Sequence, residues 1–155
     1  MTIQPDRLHD VIDQQAISDV AIRYCWALDE NDWGRLDEVF LPDATARLGN
    51  PDLLEGREAI VARVTSALTP LDDSQHIVSN HQVTIDGDSA THRCYLHAQH
   101  IRRAAQGGPH YVVAGRYVDR LVRTDDGWRI SHRDLEVMWT EGNVGVVRND
   151  GENDV

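Results

Sequence analysis

The chain has 155 residues, with 15 basic against 26 acidic side chains and a formal net charge of −11. That excess repels phosphate backbones and anionic bilayers, so nucleic acid and membrane surfaces are excluded as expected partners. The 41% hydrophobic and 26% charged content is that of an ordinary globular chain, long enough for one core without disulfides.

Residues 1–9 read as a lead-in without the basic region and apolar run of a secretory leader. Nowhere does the chain reach the roughly 18 consecutive apolar residues of a membrane span, and a cytoplasmic location is expected. Ile12, Ala16, Ile17, Val20, Ala21, Tyr24 and Leu28 then recur at helical spacing. The rest of the chain is organised around the stretch Arg23 to Phe40, RYCWALDENDWGRLDEVF. It carries an apolar helix to a carboxylate, Asp29, and stops it at Asn31 and Asp32. At 100° per residue Cys25 and Trp26 share the side of Asp29, whereas Tyr24 points elsewhere. An acid among Tyr24, Cys25, Trp26 and Trp33 is a candidate pocket wall, and equally a helix-end acid. Trp33, Leu36, Val39 and Phe40 predict a short second helix ended before Pro42. Ala44 to Leu48 predicts a strand, GNPDLLEG a turn, and Arg57 to Leu68 a third helix closed by Pro70.

After Pro70 the period alternates. In residues 75–86, His76, Val78 and Asn80 share one parity and Val83 and Ile85 the other, which predicts a bulge near His81. Asp86-Gly87 turns into a strand from Ser89 to about Arg102, with Ala90, His92, Cys94, Leu96, Ala98 and His100 on one face. The tip AAQGGP leads to a strand from His110 to Arg123, with Tyr111, Val113, Gly115, Tyr117 and Leu121 on one parity, and Trp128 to Trp139 is the last strand. Residues 10–140 form the expected domain, and 141–155 an acidic tail. Helices first and strands after them predict an α+β fold, a helix layer on one face of a long antiparallel sheet whose bulges curl it around a blind pocket.

Two cysteines, Cys25 and Cys94, in apolar segments support neither a disulfide framework nor a Cys-rich metal site. The eight histidines lack HExxH or HxH spacing, so no metal is expected. Arg116, Arg120, Arg123, Arg129 and Arg133 are expected in solvent or at an interface between copies, paired with the acidic excess.

The order of elements, with ISDVAIRYCWALDENDWGRLDEVFLPDA in front and GRYVDRLVRTDDGWRISHRDL behind, resembles the SnoaL-like branch of the nuclear-transport-factor-2-like superfamily. The resemblance implies a cone-shaped α+β barrel, a curved antiparallel sheet wrapped over N-terminal helices around a deep pocket. The Tyr24-to-Asp29 YxxxxD pattern is similar to that of scytalone dehydratase, bile-acid dehydratase and hexachlorocyclohexane dehydrochlorinase. By that likeness Asp29 is the acid of an Asp–His pair, His76 its histidine, Tyr24 a site tyrosine and His100 a second pocket histidine. Trp26, Trp33, Asn80, Tyr117 and Trp139 are expected to contact substrate. Lysine is absent, and Leu28 replaces the tyrosine that precedes the acid in the scytalone enzyme, so the substrate stays open.

A carboxylate that holds one imidazole nitrogen fixes the tautomer and lets the other take a proton from carbon. The expected activity is therefore that of a lyase, dehydratase-like, or an isomerase, acting without cofactor on a mostly apolar, cyclic small molecule. The alternative is a non-catalytic small-molecule-binding or oligomerisation module, with a subunit of a larger complex as a third reading. The family resemblance implies a homodimer or higher homo-oligomer through the exposed sheet face.

Overall fold

In the computed structural model, residues 5–148 are described, with side chains from Leu8 onward. Helix α1 spans Pro5–Asp29, starting inside the stretch read as a lead-in, while residues 1–4 lie outside the described residues. It buries Ile17, Val20, Ala21, Tyr24, Ala27 and Leu28. Its end is a Schellman turn: Asn31 takes a left-handed φ of 54°, its N–H bonds the Leu28 carbonyl at 3.2 Å, and Asp32 N–H bonds that of Ala27 at 2.9 Å. Asparagine tolerates that conformation. The helix therefore stops with Asp29 in its last turn.

A 3-10 helix, Trp33–Glu38, leads into strand β1, Phe40–Leu48, and a two-residue strand β2, Leu54–Glu55. Helix α2 spans Arg57–Leu68, the bounds read from its apolar spacing. Four long strands come after it: β3, Asp73–Asp86; β4, Ser89–Ile101; β5, His110–Thr124; and β6, Gly127–Gly142. They form one curved sheet in the order β2-β1-β6-β5-β4-β3. The expected curved sheet wrapped over N-terminal helices is present, and because the edges β2 and β3 do not pair it stays open on that side. The sheet is also not wholly antiparallel, because β1 runs parallel to β6. No hairpin joins those two strands, so nothing local dictates their relative direction.

The β4 face alternates as its sequence does, with Ala90, His92, Cys94, Leu96, Ala98 and His100 buried. The β3–β4 ladder slips between Ser79 and Gln82, with Asn80 at a φ of 57°, which is the bulge expected near His81. The extra residue turns Asn80 onto the outer face beside Gln82, Arg93 and Tyr95, and turns His81 inward onto His92.

A second slip lies in β6, where Leu121 pairs with Ile130 and Arg120 with His132, leaving Ser131 unpaired. Parity changes there. Arg133, expected in solvent or at an interface, is instead fully buried. Its Nε and Nη2 donate to Asp119 at 2.7 and 2.8 Å, and Asp119 also accepts from His92 Nδ1 at 2.9 Å. The guanidinium lies over the rings of Tyr117 and Tyr24, 3.9 and 4.5 Å from their centroids. Burial pushes the Asp119 carboxyl up, but Arg133 and His92 outweigh it and hold it below the usual range.

Beyond Gly142 the chain packs back. Asn143 Nδ2 donates to the carbonyls of Gln106 and Gly108, both at 2.8 Å, and Val146 of a last 3-10 turn is buried. Residues 149–155 lie outside the described residues. No helix among the described residues is long and apolar enough to cross a membrane.

The buried pair carries a stability prediction. Asp119→Ala leaves a desolvated guanidinium uncompensated and is expected to cost about 3–5 kcal/mol in urea denaturation. Arg35→Ala, which removes the exposed 3.0 Å bond to Glu30, is expected to cost no more than about 1 kcal/mol. Equal losses from the two variants would contradict this account of the core.

Candidate functional site

The Schellman turn and the parity of β3 aim one carboxylate at one strand edge. Asp29 Oδ1 accepts from His76 Nδ1 at 2.6 Å and from Ser74 Oγ at 2.9 Å, and Oδ2 accepts from the His76 backbone N–H at 2.8 Å. Since β3 is an edge strand, that N–H has no neighbour in the sheet on its free side, and Asp29 supplies the acceptor. Burial pushes the Asp29 carboxyl up, but the His76 side-chain and backbone bonds, its charge and Ser74 together hold it below the ordinary value. An anionic Asp29 fixes the His76 proton on Nδ1, so Nε2 carries the lone pair. No described residue hydrogen-bonds that nitrogen.

His76 stands between two depressions. An inner cavity of about 120 Å³ is lined by His76, His100, Tyr24 and Tyr117 among apolar side chains that include Leu28, Val64 and Leu96. An outer groove of about 660 Å³ runs beside β3 and is lined by Cys25, Trp26, Asp29, His76 and Ile77. The larger space is not the better reaction site. Asp29 borders only the outer groove, with Ser74 and Gln75, so it stands behind the imidazole, whereas His100, Tyr24 and Tyr117 border only the inner cavity.

His100 is 5% exposed, and its ring meets that of His76 edge-on at 5.3 Å. Burial, with the charge of His76 adding to it, lowers its pKa to about 4. Its Nδ1 donates to the Tyr111 carbonyl over 3.3 Å, leaving Nε2 as an acceptor. At neutral pH His100 is thus an uncharged hydrogen-bond acceptor beside the inner cavity. Tyr24 touches the rings of Phe40 and Tyr117 edge-on, each at 5.7 Å. Burial raises its pKa to about 12 and that of Tyr117 well above the usual value, so both hydroxyls stay protonated.

The remaining expected contacts separate. Tyr117 lines the inner cavity, and Trp26, 57% exposed, lines the outer groove. Trp33 packs against the core at the start of the 3-10 helix and lines neither space. Asn80 lies on the other face of the sheet because of the bulge, and Trp139 lies on that outer face against His97, 6.0 Å between centroids. Arg133 was not anticipated in the core. Its Nη1, buried with no hydrogen-bond partner among the described residues, belongs to the guanidinium that stacks on Tyr24 and Tyr117. The signal for it was a displaced parity in β6, which one strand read alone does not reveal.

A curved sheet covered by helices is the fold shared with a nuclear-transport-factor-2-like superfamily protein of Salmonella enterica, 18% identical over 88% of this chain and 97% of that one, with a TM-score of 0.74. The chain belongs to the SnoaL-like domain family, whose pattern matches residues 9–134. An uncharacterized protein of Mycobacterium tuberculosis, Rv2910c, is 29% identical over 126 residues, covering 80% of this chain and 84% of that protein. Two solved structures from Novosphingobium aromaticivorans superpose with a TM-score of 0.79. One is a candidate aromatic ring hydroxylase, 26% identical and covering 89% of this chain and 98% of that one. The other is a candidate scytalone dehydratase, 22% identical over 94% and 97% of the two chains.

The state of His100 sets a pH response. A histidine with a depressed folded pKa contributes stability that is present above the unfolded value of 6.5 and is lost as pH falls toward about 4. The loss is expected to reach on the order of 3 kcal/mol. Denaturation at pH 7, 5 and 4 is expected to show a shallower slope for His100→Phe than for the unmodified chain. Parallel slopes would contradict a neutral, buried His100.

Proposed function

We propose that the protein is a cofactor-independent lyase, dehydratase-like, or an isomerase, with Asp29 orienting His76 as general base. The observation that carries this reading is the 2.6 Å Asp29–His76 bond, which leaves a lone pair on Nε2 beside a small, mostly apolar cavity. In the elimination, Nε2 takes a proton from a carbon next to an activating group. The C–H pair becomes the new double bond, the bond to the leaving oxygen breaks, and the leaving group takes a proton from the Tyr24 or Tyr117 hydroxyl. Arg133, stacked on both rings, stabilises the phenolate left behind until the imidazolium returns a proton through solvent. In the isomerisation the same tyrosines polarise a carbonyl and the proton returns to another carbon.

The cavity volume of about 120 Å³ is below the ~300–1,000 Å³ usual for ligand clefts, which favours a small, compact ring over a polycyclic substrate. Small hydroxylated or halogenated cyclic ketones and phenols are the compounds to screen. With a turned-over compound in hand, Asp29→Asn and His76→Ala are each expected to lower kcat/KM by roughly 100- to 10,000-fold. Turnover that survives His76→Ala undiminished would remove the proposed base. If the unmodified chain turns over none of these compounds, and ligand binding survives both substitutions, a non-catalytic binding module is favoured.

The outer sheet face exposes Ile77, Tyr95, Met138 and Trp139, between 48% and 54% each. Aromatic and methionine side chains of this kind are enriched in protein interfaces, and a second copy of the chain is the occupant proposed for this face. Light scattering is expected to give twice the chain mass, and Trp139→Glu to shift it toward the monomer. A monomeric unmodified protein would refute the assignment.

A further inference from the structure

A second cluster of chemistry-bearing side chains lies on the same inner face, five residues along β3 from His76. His81, His92 and Cys94 present one ligand atom each, all within 4.8 Å of one another. The Asn80 bulge is what brings His81 there, and the alternation of β4 places His92 and Cys94. His81 Nδ1 is 2.9 Å from His92 Nε2, with the rings stacked at 5.3 Å and 20°. His92 Nδ1 donates to Asp119, which Arg133 holds anionic, so His92 Nε2 carries its lone pair toward His81. Two imidazole nitrogens thus face each other with one proton between them. A thiol stands alongside.

We propose that His81, His92 and Cys94 form a binding site for a divalent transition-metal ion of the zinc class. The cation takes the place of the proton between the two histidines, which moves to His81 Nε2 as that ring changes tautomer, and it displaces the proton of the Cys94 thiol to solvent, so one proton leaves per ion and no oxidant or reductant is needed. Two imidazoles and a thiolate suit zinc or cobalt and not magnesium or calcium, which take oxygen ligands.

The distances are close to what such an ion requires. Tetrahedral bonds of ~2.0–2.1 Å to nitrogen and ~2.3 Å to sulfur place the two nitrogens ~3.3 Å apart and each nitrogen ~3.6 Å from the sulfur. The histidine nitrogens need to part by about 0.4 Å from their present 2.9 Å, and the widest permitted gap, 4.8 Å, needs to close by about 1.2 Å. His81 is the ligand free to make that adjustment, being half-buried where His92 is 2% exposed. Behind His92 the Asp119 carboxylate supplies the outer partner that metal-binding histidines commonly have, fixing tautomer and ring plane. The fourth position is left to water. The ion would pin β3 to β4 at the point where their ladder is interrupted, and this role does not depend on the Asp29–His76 chemistry.

Cobalt titration of the reduced, chelator-stripped full chain tests the proposal. One cobalt per chain is expected, with a thiolate-to-cobalt charge-transfer band, intense visible bands of a tetrahedral ion, and loss of both on adding zinc. Cys94→Ser is expected to abolish the charge-transfer band and Cys25→Ser to leave it. His81→Gln, at a half-buried position that the fold tolerates, is expected to weaken binding at least about tenfold while the circular dichroism stays unchanged. If Cys94→Ser fails to fold, His81→Gln decides. Overturning results are the absence of these bands in the unmodified chain, their persistence at full affinity in His81→Gln, or their loss in Cys25→Ser.

Discussion

The buried ion pair between Asp119 and Arg133 constrains the rest of the molecule. Both groups are essentially without solvent contact, and taking two such charges out of water costs several kcal/mol each. The cost is offset only where geometry is good. Here the guanidinium makes two bonds to one carboxylate, its faces rest on tyrosine rings, and the carboxylate takes a further bond from His92. A shift of one residue between β5 and β6 would turn Arg133 to the outer face and leave the Asp119 carboxylate buried without it. The pair thus penalises every alternative register of the two strands at the centre of the sheet, and Tyr24 extends that constraint to α1.

Two Asp–His pairs share the concave face and differ in what becomes of the second imidazole nitrogen. Asp119–His92 lies deep, and its outer nitrogen is engaged by His81. Asp29–His76 lies at the sheet edge, and its outer nitrogen meets the cavity. The same carboxylate chemistry therefore leaves one lone pair committed and one available. Availability, more than the strength of either hydrogen bond, is what makes the Asp29–His76 pair the reactive candidate.

The edge position of β3 also bears on how the site is held. An unpaired strand edge offers backbone donors to any passing chain, and proteins cover such edges. Here α1 lies along β3 and Asp29 accepts one of those donors directly, so one side chain both seals the edge and orients the imidazole. A substitution at Asp29 consequently affects strand and site together, and Asp29→Asn is the milder choice because the amide oxygen still accepts from the backbone.

Local periodicity in the sequence determined the bounds of α2, the inward residues of β4, the helix stop after Asp29 and the bulge near His81. Each of these depends on neighbours within a few residues, so a pattern of apolar spacing or one Asn–Asp pair is enough to read it. The pairing of Asp29 with His76 was legible only through family resemblance, since 47 residues separate them and no spacing rule joins a helix end to a strand edge. Tertiary structure alone decided that β1 runs parallel to β6, that Asn80 faces outward and that Arg133 faces inward. A bulge moves every later side chain on its strand to the opposite face. Where it falls is settled by the partner strand's ladder, and Arg133 could be assigned to the core only once Asp119 stood across from it.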